Sequence, residues 1–207
     1  MKISCQSIQK RFGKQIIVQD FNQVFEANQL YVILGQNGSG KSTLLRMLSG
    51  IQHVDEGKVH WEKDNKTITV AQLHQYVSFC APAFDLPTSL TLQEFFEFHF
   101  SFKKIHHSTT ITEIIEELKM TSILHRPLED FSSGMLQRIK LAQAFFTDAP
   151  LLLIDEPASN LDEDGKALFQ KWLSRFKNKK LIILASNEPE EYQQVNINNH
   201  ISIADYQ

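Results

Sequence analysis

Residues 35–43 combine three glycines, a lysine and three hydroxyl side chains, a set that suits phosphate binding. Gly35, Gly40, Lys41 and Ser42 have the spacing of a P-loop, with four residues between the two glycines. Glycines tolerate positive φ, and the amides around them converge on an anion at the start of a helix. We therefore expect a nucleoside triphosphate here, with Lys41 as a catalytic residue at its β- and γ-phosphates and Ser42 on Mg²⁺. The residues predicted to bind the nucleotide are Gly35, Asn37, Gly38, Ser39, Gly40, Lys41, Ser42 and Thr43.

Two acidic residues, Asp155 and Glu156, follow the apolar run Leu-Leu-Leu-Ile at 151–154. A run that is apolar at every position is typical of a strand buried on both faces. At the end of such a strand, Asp155 would hold Mg²⁺, and Glu156 would be the general base that polarises the attacking water. The alternative is a buried strand that ends in two solvated acids. A P-loop in the same chain favours the metal and base roles.

The hydrophobic pattern indicates which elements position these groups. An apolar run at 30–34 precedes the P-loop and a helical run at 44–48 follows it, which is the strand–loop–helix order that the motif needs. After residue 150, strands and helices are expected to alternate, with strands at 151–154, 181–185 and 201–204 and helices at 163–176 and 188–194. Such alternation predicts a parallel sheet in an α/β domain.

Two further regions are predicted beside this sheet. Short alternating runs at 15–18 and 21–25, and a hairpin at 57–61 and 67–70, indicate an antiparallel β subdomain. Residues 91–147 indicate a helical insertion. The expected fold class is therefore α/β, with a P-loop NTPase core built on a parallel sheet, an antiparallel β subdomain and a helical subdomain.

Two capping boxes support the helical insertion, Thr91 with Glu94 and Thr110 with Glu113. The phenylalanines of residues 95–102 also fit a strand period of two, but the first capping box favours a helix. These phenylalanines are expected to form the core of the insertion, the alternative being an exposed docking surface.

Composition limits the class of protein. The 207 residues, 42% of them hydrophobic and 22% charged, suit a single globular domain over residues 1–207. A net charge of −3 gives no reason to expect a nucleic-acid partner. Two distant cysteines favour a reducing cytoplasm, and neither a signal sequence nor an apolar run long enough to span a membrane is expected.

Residues 131–138 read Phe-Ser-Ser-Gly-Met-Leu-Gln-Arg, and with them the chain resembles the nucleotide-binding subunits of ATP-binding-cassette (ABC) transporters. The signature of that family reads Leu-Ser-Gly-Gly-Gln, a variable residue, then Gln-Arg. Residues 157–162 resemble the family's D-loop, and the order of motifs along essentially the whole chain is the family's. The signature residues that the chain keeps in register are Ser132, Gly134, Gln137 and Arg138.

The resemblance implies an ATPase with ATP and Mg²⁺ as ligands that dimerises, either with its own copy or with a paired ABC subunit. In the family two subunits pack head to tail, and the signature helix of one, here beginning near Ser132 and Gly134, closes on the γ-phosphate held by the other. Phe12 is implied to stack on adenine, the alternative being an ordinary strand aromatic. A separate integral-membrane subunit is the implied partner, which places the chain in the cytoplasm on the inner face of the plasma membrane.

Three departures from the family pattern concern catalysis. The signature has Phe131, Ser133 and Met135 where the family has Leu, Gly and Gln. Alignment on residues 90–92 puts Pro82 where the family has a glutamine that contacts Mg²⁺ and water. Asn187 stands in place of the switch histidine, and an amide can hold a phosphate but cannot become cationic. We count Asn187 as a catalytic residue and expect turnover to be low.

The leading interpretation is the ATPase subunit of an ABC transporter, with a size similar to the short bacterial subunits of the haem-exporter kind. One alternative is an ATP-gated dimerising clamp with little hydrolysis. Another is a soluble ABC protein that does not transport. Two further features have ordinary interpretations, namely a solvated loop at 106–107, where two histidines adjoin, and a solvated basic turn at 177–180.

Overall fold

The computed structural model describes residues 1–158, 160–187 and 199–207. Its strands are β1 (Lys2–Phe12), β2 (Gln15–Phe25), β3 (Leu30–Leu34), β4 (Glu56–Lys63), β5 (Lys66–Ile68), β6 (Val77–Cys80), β7 (Leu151–Asp155), β8 (Leu181–Ser186) and β9 (Asn199–Ser202). Its α-helices are α1 (Lys41–Leu48), α2 (Leu92–Phe102), α3 (Ile111–Glu117), α4 (Ser133–Phe146) and α5 (Glu163–Phe176).

A parallel sheet with the strand order β6-β7-β8-β3-β9 forms the centre of the fold, as the alternation of elements predicted. Both faces of this sheet are buried, since Leu152 of β7 lies in one hydrophobic core and Leu153 lies in the other. Helices α2 to α5 supply residues to the first core, and α1 and the antiparallel sheet supply residues to the second. Burial on both faces explains why these strands are apolar at consecutive positions.

The antiparallel subdomain is a four-stranded sheet with the order β2-β1-β4-β5. The predicted hairpin is present as β4 and β5, which pair directly, but β5 ends at Ile68, short of the predicted residue 70, because a 3-10 helix begins at Val70. The two short runs expected at 15–18 and 21–25 belong to one strand, β2, because irregularities in its register with β1 let the pairing continue through both. This sheet ends beside the P-loop, where Ile17 of β2 approaches Gly40.

The helical insertion lies between β6 and β7, and both predicted capping boxes are present. At the start of α2, the backbone amide of Glu94 donates to the Thr91 hydroxyl at 3.2 Å. In return, the carboxylate of Glu94 accepts from the backbone amide of Thr91 at 2.8 Å. These reciprocal bonds satisfy two amides that the first helical turn leaves without partners. The local signal therefore determined helix rather than strand for residues 92–102.

The phenylalanines of α2 divide between the core and the surface. Phe95 and Phe96 are buried, whereas the side chains of Phe98 and Phe102 are exposed and pack edge to face against each other. Neither of the two sequence interpretations describes the whole run, because a helix places consecutive aromatics on different faces.

The last strand ends two residues earlier than predicted. The expected strand at 201–204 is correct for its first two residues, but β9 ends at Ser202 and residues Ile203–Tyr206 form a 3-10 turn. Ile203 leaves the sheet because its side chain packs against Gly35 and Gly40 of the P-loop. The helix expected at 188–194 lies outside the described residues. Within the part of the chain that the structure describes, no helix is long and apolar enough to cross a membrane.

Candidate nucleotide site

Three neighbouring strands bring the candidate residues to one edge of the parallel sheet. The P-loop follows β3, Asn187 follows β8, and Asp155 is the last residue of β7. Because β8 pairs with both β3 and β7 in parallel, the carboxyl ends of all three strands lie side by side. This edge is where ligands bind in open α/β sheets.

The P-loop runs from Leu34 to the start of α1 and depends on its glycines. Gly40 caps α1 with a φ of 95°, in the left-handed region that favours glycine. A Cβ atom at Gly40 would lie 2.5 Å from Cγ2 of Ile17, and one at Gly35 would lie 2.5 Å from Cγ2 of Ile203. A side chain at Gly40 or Gly35 would therefore displace Ile17 or Ile203, which pack against the loop. The expected strand–loop–helix geometry is present.

Lys41 is turned inward at the first residue of α1, with only 4% of its surface exposed. Its Nζ donates to the carbonyl oxygens of Gly35 at 2.8 Å and Gln36 at 3.0 Å. The ammonium group is thus held over the loop itself, where an anion that the loop encloses would meet it. The buried hydroxyl of Ser39 has no hydrogen-bond partner among the described residues, so a polar atom inside the loop is also left for a ligand.

Asp155 is a buried carboxylate with one oxygen unsatisfied. The residue is 4% exposed, and its Oδ1 has no hydrogen-bond partner among the residues that the structure describes. Burial raises the pKa of Asp155, and the neighbouring Glu156 raises it further, against the lowering effect of the Ser42 hydroxyl, Lys41 and Arg46. A buried anionic oxygen and a serine hydroxyl side by side are hard oxygen ligands of the kind that Mg²⁺ prefers. The residues present therefore fit the cation.

We expect Asp155→Asn to stabilise the chain in buffer that contains EDTA. The ionised carboxylate is disfavoured in the fold, so its amide replacement should raise the free energy of unfolding by about 1 kcal/mol and Tm by roughly 2–4 °C. Because folding raises the pKa of Asp155, the free-energy cost of its ionised carboxylate in the fold grows as pH rises. The difference in stability between wild type and Asp155→Asn should vanish below about pH 4, where Asp155 is protonated in both the folded and the unfolded state.

Thermal unfolding of wild type and Asp155→Asn at several pH values measures this difference. Asp85→Asn is the matched control, since Asp85 is exposed and its replacement should leave Tm nearly unchanged. If Asp155→Asn has a lower Tm than wild type at pH 7, the fold stabilises the ionised carboxylate even without Mg²⁺, which contradicts this prediction.

Glu156 has a backbone conformation that is rare for its residue type. Its φ is 47°, and its backbone amide donates to the carbonyl oxygen of Ala185 at 3.0 Å. This hydrogen bond ties the residue after β7 to β8 while the chain turns sharply away from the sheet. A left-handed conformation in a residue other than glycine costs free energy and is common at functional sites. Glu156 is half-buried at the edge where the phosphates would lie.

Asn187 contacts the P-loop directly, although the two segments lie far apart in sequence. Its Nδ2 donates to Oδ1 of Asn37 at 3.0 Å. Both side chains are exposed, so the pair lies at the surface of the site. This hydrogen bond holds the Asn187 amide against the P-loop.

The signature residues form the start of α4. Ser132 is the N-cap, and its hydroxyl accepts from the backbone amide of Met135 at 3.3 Å. Gly134 lies so close to Asn160 that a Cβ atom at residue 134 would be 2.8 Å from the carbonyl oxygen of Asn160. Buried Gln137 donates from Nε2 to the carbonyl oxygen of Pro157 at 3.1 Å, and Arg138 forms an ion pair with Asp162.

Two of these bonds connect the signature to Pro157 and Asp162, and none of them reaches the P-loop of the same chain. Among the described residues, the structure records no hydrogen bond between the signature residues Ser132, Gln137 or Arg138 and residues 35–43. The structure thus brings the P-loop, Asp155, Glu156 and Asn187 together and leaves Ser132 and Gly134 outside this group.

Phe12 and Pro82 are the two remaining positions that the sequence singled out. Phe12 ends β1 with 52% of its surface exposed, and Nζ of Lys10 lies 5.5 Å from the centre of its ring. An exposed ring of this kind is free to stack on a base. Pro82 follows β6 by two residues, and its carbonyl oxygen accepts from Nζ of Lys140 at 3.4 Å. A proline there supplies no side-chain or backbone donor.

Sequence reasoning missed the contribution of the last residues to the P-loop. Besides the contact of Ile203 with the glycines, Nε2 of Gln207 donates to the carbonyl oxygen of Ser39 at 3.0 Å. No local motif signals such a contact, because the two residues are 168 positions apart.

Known proteins are similar to this chain in sequence. The family model described as "ABC transporter" matches residues 18–159. The sulfate/thiosulfate import ATP-binding protein CysA of Halalkalibacterium halodurans is 30% identical over 185 residues, which cover 86% of this chain and 52% of that protein. The zinc import ATP-binding protein ZnuC of Hydrogenovibrio crunogenus is 28% identical, with 86% and 68% covered. The chain therefore spans about half the length of that CysA.

Solved structures have the same fold. A putative ABC transporter ATP-binding protein from Pyrococcus furiosus has a TM-score of 0.82 at 18% identity, with all of both chains covered. The dimeric post-hydrolysis state of the ATP-binding cassette MJ0796, bound to ADP and Pi, has a TM-score of 0.77 at 20% identity, covering 92% of this chain and 90% of that one.

Proposed function

The chain belongs to the ABC transporter family, and we propose that it is the subunit that binds and hydrolyses ATP to drive a transporter. The observation that carries the proposal is the unsatisfied oxygen of buried Asp155 beside Ser42, at the same sheet edge as the P-loop. A buried carboxylate is costly unless a cation compensates it, and Mg²⁺ bound with ATP is that cation.

In the proposed reaction each residue has a separate task. The loop amides and Lys41 bind the phosphates, and Ser42 and Asp155 hold Mg²⁺. When bound, the cation would neutralise charge on the phosphates. Glu156 accepts a proton from the attacking water, and Asn187 orients the γ-phosphate through its amide. Phe12 stacks on the adenine ring.

The site is completed by a second subunit. Ser132 and Gly134 lie at the start of α4, whose N-terminal amides favour an anion. Head-to-tail pairing would present them to the partner's P-loop, so that two ATP molecules hold the dimer together. The partner is a second copy of this chain or a related ABC subunit. Residues 1–207 act as one cassette in this arrangement.

Transport requires an integral-membrane subunit, which we propose as the second partner. The relatives named as import ATP-binding proteins support a role of this kind. The cassette would then work in the cytoplasm against the inner face of the plasma membrane. The short bacterial haem-exporter subunits remain our sub-family proposal.

A second candidate function, an ATP-gated clamp with little hydrolysis, is favoured by the residues at two positions. Asn187 cannot become cationic, and Pro82 replaces a side chain that would contact water and Mg²⁺. Glu156 is retained, which supports hydrolysis at a modest rate.

Restoring histidine at the switch position should raise turnover. We expect Asn187→His to increase steady-state phosphate release about 5-fold, and up to roughly 150-fold if Pro82 does not limit the gain, since a cation can stabilise the developing charge. The matched control is Asn187→Gln, which keeps the neutral amide and should not exceed wild type.

Phosphate release with Mg-ATP, measured against a blank that contains EDTA, tests whether the chain hydrolyses ATP and whether Asn187 limits turnover. Wild type that releases no phosphate above the blank would support the clamp over the ATPase. Turnover in Asn187→His that is equal to or lower than that of wild type would show that asparagine at position 187 does not limit turnover.

A further inference from the structure

A second cavity lies at the edge of the parallel sheet opposite the nucleotide site. Its volume is about 840 Å³, and it is lined by residues that directly precede three neighbouring strands. Tyr76 precedes β6, Pro150 precedes β7 and Lys180 precedes β8. Since the strands are parallel, these residues lie at their amino ends, whereas Asp155 and the P-loop lie at the carboxyl ends. We call this space the basal cavity.

The wall of the basal cavity carries a concentrated positive charge. Its lining includes one carboxylate, Asp148, and the five lysines Lys63, Lys103, Lys104, Lys179 and Lys180. In the described part of the chain, none of these lysines forms an ion pair with a carboxylate. This concentration contrasts with the net charge of −3 of the whole chain.

Two of the ammonium groups are fixed by backbone carbonyls. Lys180 is 3% exposed, and its Nζ donates to the carbonyl oxygens of Phe145, at 2.9 Å, and Thr147. Nζ of Lys103 donates to the carbonyl oxygen of His74. These bonds position the charges without neutralising them. The sequence interpretation of 177–180 as a solvated turn is therefore wrong for Lys180, because its carbonyl partners lie more than 30 residues away.

Burial and neighbouring charges lower the pKa values of two residues of the cavity wall. Burial lowers the pKa of Lys180 to about 8. The pKa of His106 is lowered by burial first, and then by Lys180, His107 and Lys179, with Asp148 acting in the opposite direction. His106 is buried and stacks on His107, so the solvated loop expected at 106–107 is wrong for its first residue. A bound anion would offset the positive charges of Lys179 and Lys180 that act on His106.

The remaining lysines are available to a ligand. Lys104 and Lys179 are exposed, and the structure gives their side chains no hydrogen-bond partner among the described residues. Nζ of Lys63 lies 5.4 Å from the centre of the Tyr76 ring. Lysines are compact point charges that bind phosphate groups well, and the volume lies within the range of small-molecule sites, about 300–1,000 Å³.

From this arrangement we propose that the basal cavity binds a small soluble molecule that carries two or more phosphate groups. Such a ligand would contact three parts of the fold at once: Lys63 of the antiparallel sheet, residues 102–104 of the helical insertion and the amino edge of the parallel sheet. Its binding would stabilise the packing of these parts against one another.

Inorganic tripolyphosphate, titrated calorimetrically without Mg²⁺ in low-salt buffer, is the probe. The background is Lys41→Ala, which removes the P-loop as a competing phosphate site while the basal cavity is intact. We expect a dissociation constant below about 100 μM and a higher Tm in the presence of the probe. Lys104→Gln with Lys179→Gln in this background should weaken binding about tenfold.

The matched control removes two other exposed lysines, Lys14→Gln with Lys58→Gln, which lie outside the cavity wall. It should bind the probe as the background does. Absence of binding in the Lys41→Ala background, or equal weakening by the control, would overturn the proposal. So would lysine-dependent sedimentation with vesicles that contain phosphatidylinositol bisphosphate when tripolyphosphate itself does not bind.

Discussion

Replacement of Lys41 by alanine is expected to weaken ATP binding by about 100-fold or more. The ammonium group is buried and lies over the carbonyls of the loop, so a phosphate bound there would lose its closest cation in a site with little solvent screening. Equilibrium titration with a fluorescent ATP analogue measures the change. Lys58→Ala removes the same charge from an exposed position on β4 and should bind as wild type does.

The folded state of Lys41→Ala must be checked by circular dichroism, because the change also removes the side-chain donor to the carbonyl of Gly35 and one of two donors to that of Gln36. A folded variant with unchanged affinity would show that the loop does not bind the triphosphate in the expected way.

Replacement of Glu156 by glutamine is expected to lower phosphate release by about 100- to 1,000-fold and to leave ATP affinity nearly unchanged. Glutamine has the shape of glutamate but cannot accept the proton of the attacking water. Steady-state phosphate release and the same ATP titration separate the two effects. The matched control is Glu163→Gln in the first turn of α5, where the side chain is 91% exposed.

Turnover of Glu156→Gln within about threefold of wild type would exclude Glu156 as the base. A parallel loss of ATP affinity would point instead to a role in binding, and the positive φ of residue 156 would then need another explanation.

Much of the fold could be predicted because its signals are local. Thr91 with Glu94 and Thr110 with Glu113 determined two helix starts by hydrogen bonds that span three residues. The apolar run of β7 and the full extent of α5 also followed from the sequence. Each of these signals depends on neighbours in the chain, so one sequence contains all the information needed.

The errors concern residues whose surroundings come from distant segments. Lys180 is buried because carbonyl groups of α4 and the residue after it accept its hydrogen bonds, and a run of lysines gives no sign of this. Ile203 leaves β9 early because the P-loop glycines make room for its side chain. Neither partner can be identified from local composition.

The residues of the candidate site could be predicted more fully than the contacts among them. The P-loop, Asp155 and Glu156 were recognisable from spacing and from the strands before them, and Asn187 was placed by the strand that precedes it. The unsatisfied oxygen of Asp155 and the hydrogen bond between Asn187 and Asn37 required the three-dimensional arrangement of strands. The proposed role of Ser132 and Gly134 in a shared site involves a second subunit, so neither the sequence nor the fold of one chain gives their position there.

If two subunits share each ATP, the mass of Glu156→Gln in solution should depend on the bound nucleotide. Size-exclusion chromatography with light scattering should give a dimer, twice the 23.8 kDa mass of the chain, in Mg-ATP and a monomer in Mg-ADP. Slow hydrolysis in this variant would keep ATP bound between the P-loop of one chain and Ser132 and Gly134 of the other. A monomer at saturating Mg-ATP, from a variant shown to bind ATP, would contradict the shared site.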